Sequence, residues 1–301
     1  MRHILVMACM AAMLALVVGC ASTPKGPQPV AEGTPVPAYA DIAARYNARV
    51  APLEHISAAT VTRVWYTDES GQQREDQIEG RMTLVRPSDV YLRFDKLGET
   101  YAMLGSNSER YWWMELGQTR TAWVGSHERA APDRVADFGV PVHPINLIEL
   151  LGVSPLPEVA DAAATAWSPD RRHVQVSVAR GAGHVRLTLD RATLEPVRIE
   201  LLNPDGETML ASDLSTYVPV DIFGYRPPPR VAGEVNITLT QPQAVRIRLR
   251  MAEPATSPRQ PRRDLFNFDL LVDRYRVGEI ISLDDDAPHA ALAPEREGST
   301  R

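Results

Sequence analysis

The chain has 301 residues and a formal net charge of −6. It is long enough to bury a sizeable core, and its acidic balance without an evidently basic face excludes nucleic acid as a predicted partner. Its 25 prolines and 6% aromatic residues are more typical of strands and turns than of a helical bundle, so the sequence predicts a mainly β fold.

The N terminus has the pattern of a secretion signal. Residues 1–19 start with a basic residue and continue as an apolar run that ends in small residues. This order and length are typical of a signal peptide rather than of a membrane-spanning helix. Cys9 lies in the segment that would be removed, so the mature chain would keep Cys20 alone and no disulfide is predicted.

The apolar run ends at Cys20 in the sequence LVVGC, which resembles the lipobox of bacterial lipoproteins. The resemblance implies cleavage before Cys20 and attachment of a diacylglycerol, with palmitate-type acyl chains, to its thiol. Ala21 and Ser22 follow instead of aspartate, which resembles the outer-membrane sorting signal of enterobacterial lipoproteins. The predicted location is therefore the outer membrane, lipid-anchored and facing the periplasm. The Pro-rich residues 20–37 are predicted to form a lipidated tether that could extend about 50 Å.

The folded part is predicted to span residues 38–283 and to begin with a helix. Tyr39 to Leu53 place apolar residues at helical spacing. A strand from Ile56 to Tyr66 follows, and the turn at 68–71 predicts a hairpin with the next strand. From Ile78 to Val124, five short strands with apolar side chains at alternate positions predict the concave wall of an antiparallel sheet.

One face of this wall collects the apolar side chains. Met82 and Leu84 share a parity on the first strand of the wall, and Arg86 shares it too, so a charge is placed on the apolar face. Two interpretations of Arg86 are open at this point. It either ends the strand at the rim of the sheet or has a function on the apolar face.

The segment from Pro144 to Gly152 predicts a short apolar helix, with proline near its start and glycine at its end. It is too apolar to lie bare on a surface. We therefore predict that it covers the open side of the sheet as a lid, through Ile145, Ile148 and Leu151.

The second half of the chain predicts further strands of the same sheet, at residues 173–179, 185–190, 196–202, 235–240 and 245–251. In the last of these, Arg246, Arg248 and Arg250 alternate with apolar residues, which predicts an outer strand with one solvated face. The apolar segment 265–271 and a weak strand to Leu283 end the predicted domain. Residues 284–301 are predicted to form a disordered acidic tail.

The sequence carries no motif that predicts catalysis. A nucleophile elbow, a P-loop, a dinucleotide-binding glycine pattern and the H-E-x-x-H zinc motif are all absent. No two histidines have metal-ligand spacing, and the aspartates at 284–286 have no neighbouring ligand pattern. We therefore predict no enzyme activity, no metal and no cofactor.

Several short motifs resemble, in their order, the LolA/LolB superfamily of periplasmic lipoprotein carriers and receptors. A strand opened by Gly80 ends in Arg86-Pro87, a return strand carries Phe94, and a turn precedes the strand with Trp112. PINLIELLG resembles the lid helix of the family and LDRATLEPVRIELLNPDGE its later hairpin, so the match covers about 39–220. Asn107-Ser108 replaces the Asp-Gly that is usual in the carriers, and the chain continues beyond their usual end.

The resemblance implies an unclosed antiparallel β half-barrel of the α+β class, covered by an N-terminal helix and a short lid helix. It also implies an apolar cavity for lipoprotein acyl chains and no catalysis. In the carriers the arginine before proline hydrogen-bonds the lid, so Arg86 is expected to donate to carbonyls at a helix end. The predicted ligand-binding residues are Arg86, Met82, Leu84, Leu92, Phe94, Ile145, Ile148 and Leu151.

The predicted function is that of a membrane-anchored, LolB-like lipoprotein that binds an acyl chain or lipid in lipoprotein or lipid transfer to the outer membrane. The alternative is a structural or interaction lipoprotein whose sheet is filled by its own side chains and whose outer face binds another envelope protein. A carrier should have an apolar cavity of roughly several hundred Å³, whereas the alternative predicts ordinary interior packing.

Overall fold

The structure is a computed structural model that describes residues 27–67, 70–117, 119–129, 143–159, 163–181, 183–240, 245–256 and 261–284. The predicted signal peptide and Cys20 lie outside these residues, as does the predicted tail from residue 285 onward. Within the described ranges, no helix has both the length and the apolar character needed to cross a membrane.

The described residues form three α-helices, fourteen strands and two short 3-10 helices. The α-helices are α1 (Tyr39–Val50), α2 (Pro144–Leu150) and α3 (Phe268–Tyr275), and the 3-10 helices are His127–Arg129 and Arg263–Phe266. The strands are β1 (His55–Thr67), β2 (Gln73–Val85), β3 (Asp89–Lys96), β4 (Glu99–Ser106), β5 (Arg110–Glu115), β6 (Thr121–Ser126), β7 (Ala164–Trp167), β8 (His173–Arg180), β9 (Gly183–Asp190), β10 (Pro196–Leu202), β11 (Thr208–Pro219), β12 (Arg230–Leu239), β13 (Val245–Ala255) and β14 (Glu279–Ser282).

All of these strands belong to one sheet, in the order β14-β6-β5-β4-β3-β2-β1-β13-β12-β11-β10-β9-β8-β7. Neighbouring strands are antiparallel except β14 and β6, which are parallel. The sheet is unclosed, because its outermost strands β14 and β7 do not pair with each other. The predicted fold class, mainly β with a few helices and an unclosed sheet, is confirmed. The five predicted wall strands correspond to β2 through β6.

The apolar face of the sheet packs against α1 and α2 in one continuous core. Helix α1 buries Ile42, Ala43, Tyr46 and Val50, which recur at intervals of three and four residues and so form one stripe. From the wall, Phe94 of β3 and Trp113 of β5 reach the same core, with ring centroids 5.8 Å apart. The sheet and these two helices therefore form a layered unit with the core between them.

A second, smaller core lies on the opposite face of the wall strands, under α3. It contains Tyr91, Met103 and Trp112 from the sheet together with Phe268 and Leu271 from α3. The rings of Trp112 and Phe268 have centroids 5.7 Å apart. Successive residues of a strand point to opposite faces, which explains why Trp112 and its neighbour Trp113 belong to different cores.

The prediction of an outer strand carrying Arg246, Arg248 and Arg250 is wrong. β13 lies between β1 and β12, in the middle of the sheet. Its arginines do face away from the apolar core, and Arg248 and Arg250 pair with Glu234 of β12 at 2.6 and 3.0 Å. The alternation of side chains indicates which face a residue takes but not which strand lies beside it, so the position within the sheet could not be deduced.

Candidate functional site

Helix α2 lies over the apolar face of the sheet, as predicted for the lid. Its first residue is Pro144, and it contacts β3, β4 and β10. Leu147, Ile148 and Leu150 are buried against the core, which accounts for most of its apolar character. The predicted lid therefore lies against the predicted wall.

Most of the residues predicted to bind a ligand belong to the core on the face of the sheet that α2 covers. Six of the eight predicted residues belong to the same buried core: Met82, Leu84, Leu92, Phe94, Ile148 and Leu151. The other two are Ile145 and Arg86. Ile145 is half-buried and lies outside that core. The wall is thus covered by side chains of the chain itself, and a ligand would reach it by displacing α2.

Arg86 follows β2 and connects the ends of the two covering helices. Its Nη2 donates to the carbonyl oxygen of Ala51, the C-cap of α1, at 3.1 Å, and its Nη1 donates to that of Val153, just beyond α2, at 3.3 Å. Its backbone N–H donates to Glu54 O at 2.9 Å. Burial lowers the pKa of the Arg86 guanidinium, and the nearby Glu54 carboxylate opposes this effect. The expected contacts with carbonyls at helix ends are present.

Other side chains hold the same end of α2, and no sequence pattern predicts their role. The carbonyl oxygen of Gly152 accepts from Tyr46 Oη at 3.0 Å and from Arg49 Nη2 at 2.7 Å, both on α1. Ser212 Oγ of β11 donates to Leu150 O at 2.8 Å. Burial raises the pKa of Tyr46, so its hydroxyl remains a donor at neutral pH. Tyr46 was recognisable only as part of the apolar stripe of α1.

The turn that ends α2 requires a glycine. Gly152 has a φ of +67°, and a Cβ at this position would lie 2.5 Å from Pro196 Cγ and 3.3 Å from Ile199 Cδ1. Both the left-handed backbone and the close contact with β10 exclude a side chain here. The predicted terminating glycine is therefore also a packing contact between the lid and the sheet.

An ion pair holds the last turn of α2 to the sheet. Glu149 Oε1 lies 2.5 Å from Arg180 Nη2 at the end of β8. Burial raises the pKa of Glu149, and the charge of Arg180 opposes this effect. The lid thus has apolar contacts beneath it and polar contacts around its edge.

The N-terminal end of α2 is capped by a histidine. His143 Nδ1 accepts from the backbone N–H of Ile145 at 3.3 Å, so its neutral form carries the proton on Nε2. His127 Nε2 is 2.7 Å from Asn107 O, which can only accept, so Nε2 carries the proton and donates. In the neutral ring Nδ1 is then unprotonated. The two rings are 5.3 Å apart, and both lie against Tyr111. Burial, followed by the effect of His127, lowers the pKa of His143 to about 4.

A separate hollow of about 760 Å³ lies on the central strands β2, β1, β13, β12 and β11. It is lined in part by Val61, Glu79, Glu234 and Arg250. None of the predicted ligand-binding residues lines it. In the part of the chain that the structure describes, no group of three or more histidine, cysteine, aspartate or glutamate side chains is placed to hold a metal ion.

No protein-family model matches the chain, and no curated protein matches its sequence. Among solved structures, it is similar to a domain named for outer-membrane lipoprotein sorting from Vibrio parahaemolyticus, with a TM-score of 0.50 and 10% identity, over 77% of this chain and 97% of that one. This likeness shows that the two share a fold.

Two further solved structures have lower TM-scores. A DUF1329 family protein from Desulfovibrio piger has a TM-score of 0.49 and 11% identity, over 77% of this chain and 97% of that one. A LolA superfamily protein from Nitrosomonas europaea has a TM-score of 0.45 and 12% identity, over 76% of this chain and 97% of that one.

Proposed function

We propose that the chain is a bacterial lipoprotein, anchored through Cys20 in the outer membrane and facing the periplasm, whose half-barrel binds an acyl chain or lipid. On this proposal residues 1–19 are the signal peptide, 20–37 the lipidated tether, 38–283 the carrier domain and 284–301 an acidic tail. The cargo would be a lipoprotein or a lipid in transfer to the outer membrane. The chain acts by binding and release rather than by catalysis.

The observation that carries the proposal is the way α2 is attached. Its apolar face covers the wall, whereas its C-terminal end is held by side chains that donate to the carbonyls of Leu150, Gly152 and Val153. Such bonds contribute only about 0.5–1.5 kcal/mol each when both partners regain water, or about 1.5–3 kcal/mol for charged donors. The lid can therefore open without loss of the strand ladder.

An acyl chain would compensate for the apolar surface that opening exposes. Each buried CH₂ group contributes about 0.8 kcal/mol, so a long acyl chain could replace the contacts of α2 with β3 and β4. The fold shared with a domain named for lipoprotein sorting supports this reading. The predicted ligand-binding residues Arg86, Met82, Leu84, Leu92, Phe94, Ile145, Ile148 and Leu151 are proposed to act in this exchange.

Photo-crosslinking tests this proposal with a matched pair of positions on β3. Benzoylphenylalanine replaces either Phe94, which faces the core under α2, or Tyr91, which faces the core under α3. The otherwise complete Cys20→Ser chain is collected from the periplasm, irradiated with a radiolabelled fatty acid and analysed by mass spectrometry. We expect labelling from position 94 and none from position 91. Equal labelling at both positions, or none at either, would reject the acyl-chain site.

A second candidate is a structural or interaction lipoprotein that binds another envelope protein. Two observations favour it: the wall is filled by side chains of the chain itself, and the hollow of about 760 Å³ lies open on the central strands. This candidate predicts that the periplasmic chain contains no bound lipid and that position 94 does not crosslink to fatty acid. Lipid extraction from the same preparation separates the two candidates.

A further inference from the structure

The connection between β11 and β12, residues 220–229, exposes two aromatic side chains. Phe223 is 93% exposed and Tyr225 is 51% exposed. Arg226, also exposed, follows them, and Asp221 precedes them. An aromatic pair with a neighbouring arginine has the composition of a membrane-interface contact, where the rings enter the headgroup layer and the guanidinium meets phosphate.

The loop is held in a defined shape, so the exposure of its aromatic side chains is built into the fold. Tyr225 N–H donates to Ile222 O at 3.2 Å, and Val220 N–H donates to Pro229 O at 2.8 Å. Asp221 exchanges backbone hydrogen bonds with the end of β13, through Pro254 O and Thr256 N. Three consecutive prolines, 227–229, complete the loop. A rigid loop loses little conformational entropy when its tip is buried.

This loop lies on the rim of the sheet to which the N-terminal segment is attached. We call the rim formed by the connections 168–172, 191–195 and 220–229 the anchor rim. The antiparallel register places these three connections on one side of the sheet, because β7, β9 and β11 end there and β8, β10 and β12 begin there.

The chain that leads back to Cys20 leaves from the same rim. Val30 N–H donates to Arg171 O at 2.9 Å, and Arg171 Nη2 donates to Ala31 O at 2.5 Å. Trp167 Nε1 donates to Thr34 O at 3.0 Å. The described chain is therefore attached to this rim from Val30 onward. The ten residues that separate Val30 from Cys20 span at most about 36 Å, at about 3.6 Å per residue.

These distances bring the aromatic loop within reach of the bilayer. β7 and β11 are separated by β8, β9 and β10, so their ends lie about 19 Å apart at a strand spacing of about 4.8 Å. Leu97, which is 99% exposed in the β3–β4 turn, lies on the opposite rim. The short tether thus favours membrane contact by the loop at 220–229 and not by Leu97.

We propose that Phe223 and Tyr225 insert into the headgroup region of the membrane that holds Cys20, so that the anchor rim rests on the bilayer. The proposal depends on the lipid anchor of the proposed function but not on an acyl chain bound under α2. The partner is the lipid surface, and the charge of Arg226 favours anionic headgroups.

Spin labelling of the complete lipidated protein tests the proposal. The sequence has two cysteines, Cys9 and Cys20. On the proposed function Cys9 is removed and Cys20 carries the lipid, so Phe223→Cys and Leu97→Cys each introduce a single labelling site. Both proteins are reconstituted into vesicles of phosphatidylethanolamine and phosphatidylglycerol. We expect the label at 223 to be accessible to oxygen but protected from a water-soluble nickel reagent, and the label at 97 to be fully accessible to the nickel reagent.

Equal nickel accessibility at both positions, in protein that floats with the vesicles, would overturn the loop proposal and leave the anchor intact. Failure of the unlabelled protein to float would overturn the anchor and the loop proposal together. A Phe223→Ser/Tyr225→Ser chain that still fixes the anchor rim at the bilayer, measured by a label at position 192 in the 191–195 turn, would also refute the proposal. Because both side chains are exposed, these variants are expected to fold normally.

Discussion

Removing the Arg86 side chain is the sharpest test of how α2 opens. Arg86→Leu deletes both hydrogen bonds to the carbonyls of Ala51 and Val153. It places an apolar side chain at this half-buried position, so the packing there is largely retained. The strand pairing of β2 with β1 and β3 does not involve this side chain. The substitution should therefore weaken the attachment of the lid and leave the sheet intact.

The magnitude follows from the geometry of the two bonds. A hydrogen bond from a charged donor contributes about 1.5–3 kcal/mol, and lengths of 3.3 and 3.1 Å exceed the typical value of about 2.9 Å. Because both bonds are long and solvent screens the half-buried guanidinium, we expect each to contribute less than this range, about 0.75 kcal/mol, and the pair about 1.5 kcal/mol. Since about 1.4 kcal/mol corresponds to a factor of ten, the equilibrium between closed and open lid should shift about tenfold.

Hydrogen exchange of the backbone amides measures this shift. The N–H groups of Leu151 and Gly152 are bonded to Leu147 O and Glu149 O, within the last turn of α2. They exchange when that turn unwinds, which its release from Arg86 should favour. In Arg86→Leu they should exchange about tenfold faster, and bound lipid should be released faster by a similar factor. The N–H of Leu92, in the ladder between β3 and β4, serves as the internal reference.

Arg86→Lys is the matched control for charge. Lysine keeps the positive charge but lacks the planar fork that reaches two carbonyls, so we expect its exchange rates to resemble those of Arg86→Leu. Unchanged exchange at Leu151 and Gly152 in Arg86→Leu would refute the role of Arg86 as a latch. It would then be a rim residue, as the first interpretation of the sequence held.

Four further outcomes are expected. Cys20→Ser should leave the domain folded but move it from the membrane fraction to the soluble fraction, and a variant that still sediments with membranes would refute the lipobox interpretation. Ile148→Asp buries an unpaired carboxylate and should cost several kcal/mol, about 2–5, in thermal unfolding, whereas the control Leu270→Asp, 48% exposed on α3, should cost little. Gly152→Ala should lower the melting temperature more than Gly181→Ala, because both have positive φ but a Cβ at 181 meets nothing within 4 Å. Burial lowers the pKa of His143 to about 4 from its ordinary 6.5, so the contribution of His143 to the stability of closed α2 is fully present above pH 6.5. Up to about 3 kcal/mol of it is lost as the pH falls toward 4. His143→Asn, a neutral cap, should remove this part of the acid dependence of amide exchange in α2.

The alternation of side chains predicted the wall strands well because one face of them is buried and the other is not. Met82 and Leu84, or Leu92 and Phe94, follow a period of two that only a strand can satisfy. The short apolar run after Pro144 also predicted its location correctly, because so apolar a helix has to be buried against the sheet. Local patterns of this kind are sufficient to predict an element and its buried face wherever only one face of that element is buried.

The elements that the sequence did not predict lack such a pattern. β7 has only four residues, and β11 has an irregularity at Thr216, whose φ of +55° interrupts its alternation. The sequence predicts only an apolar segment where α3 lies, because no proline begins this helix and no glycine directly follows its C-cap, as they do in α2. Its burial depends on Trp112, which lies on a distant strand.

The network that holds α2 could not be deduced for a different reason. Arg49 and Ser212 are separated from Gly152 and Leu150 by many residues, and both are ordinary surface types until the fold brings them to a carbonyl. The resemblance to a carrier family drew attention to Arg86 alone. The other donors are evident only in the folded structure, since no residue type marks the position of a backbone carbonyl that accepts a hydrogen bond.

The positions of the latch and of the tether favour the carrier over the purely structural alternative. The register that pairs His55 with Val85 and Ser57 with Ala255 places Arg86 at the same side of the sheet as the anchor rim. On our proposal this side faces the bilayer, so a lid released at Arg86 would open toward the lipids. A protein that only filled space in the envelope would gain nothing from breakable polar bonds at that edge. A carrier, by contrast, needs the weakest part of its cover to lie where the acyl chain enters or leaves, because the apolar chain then avoids exposure to water.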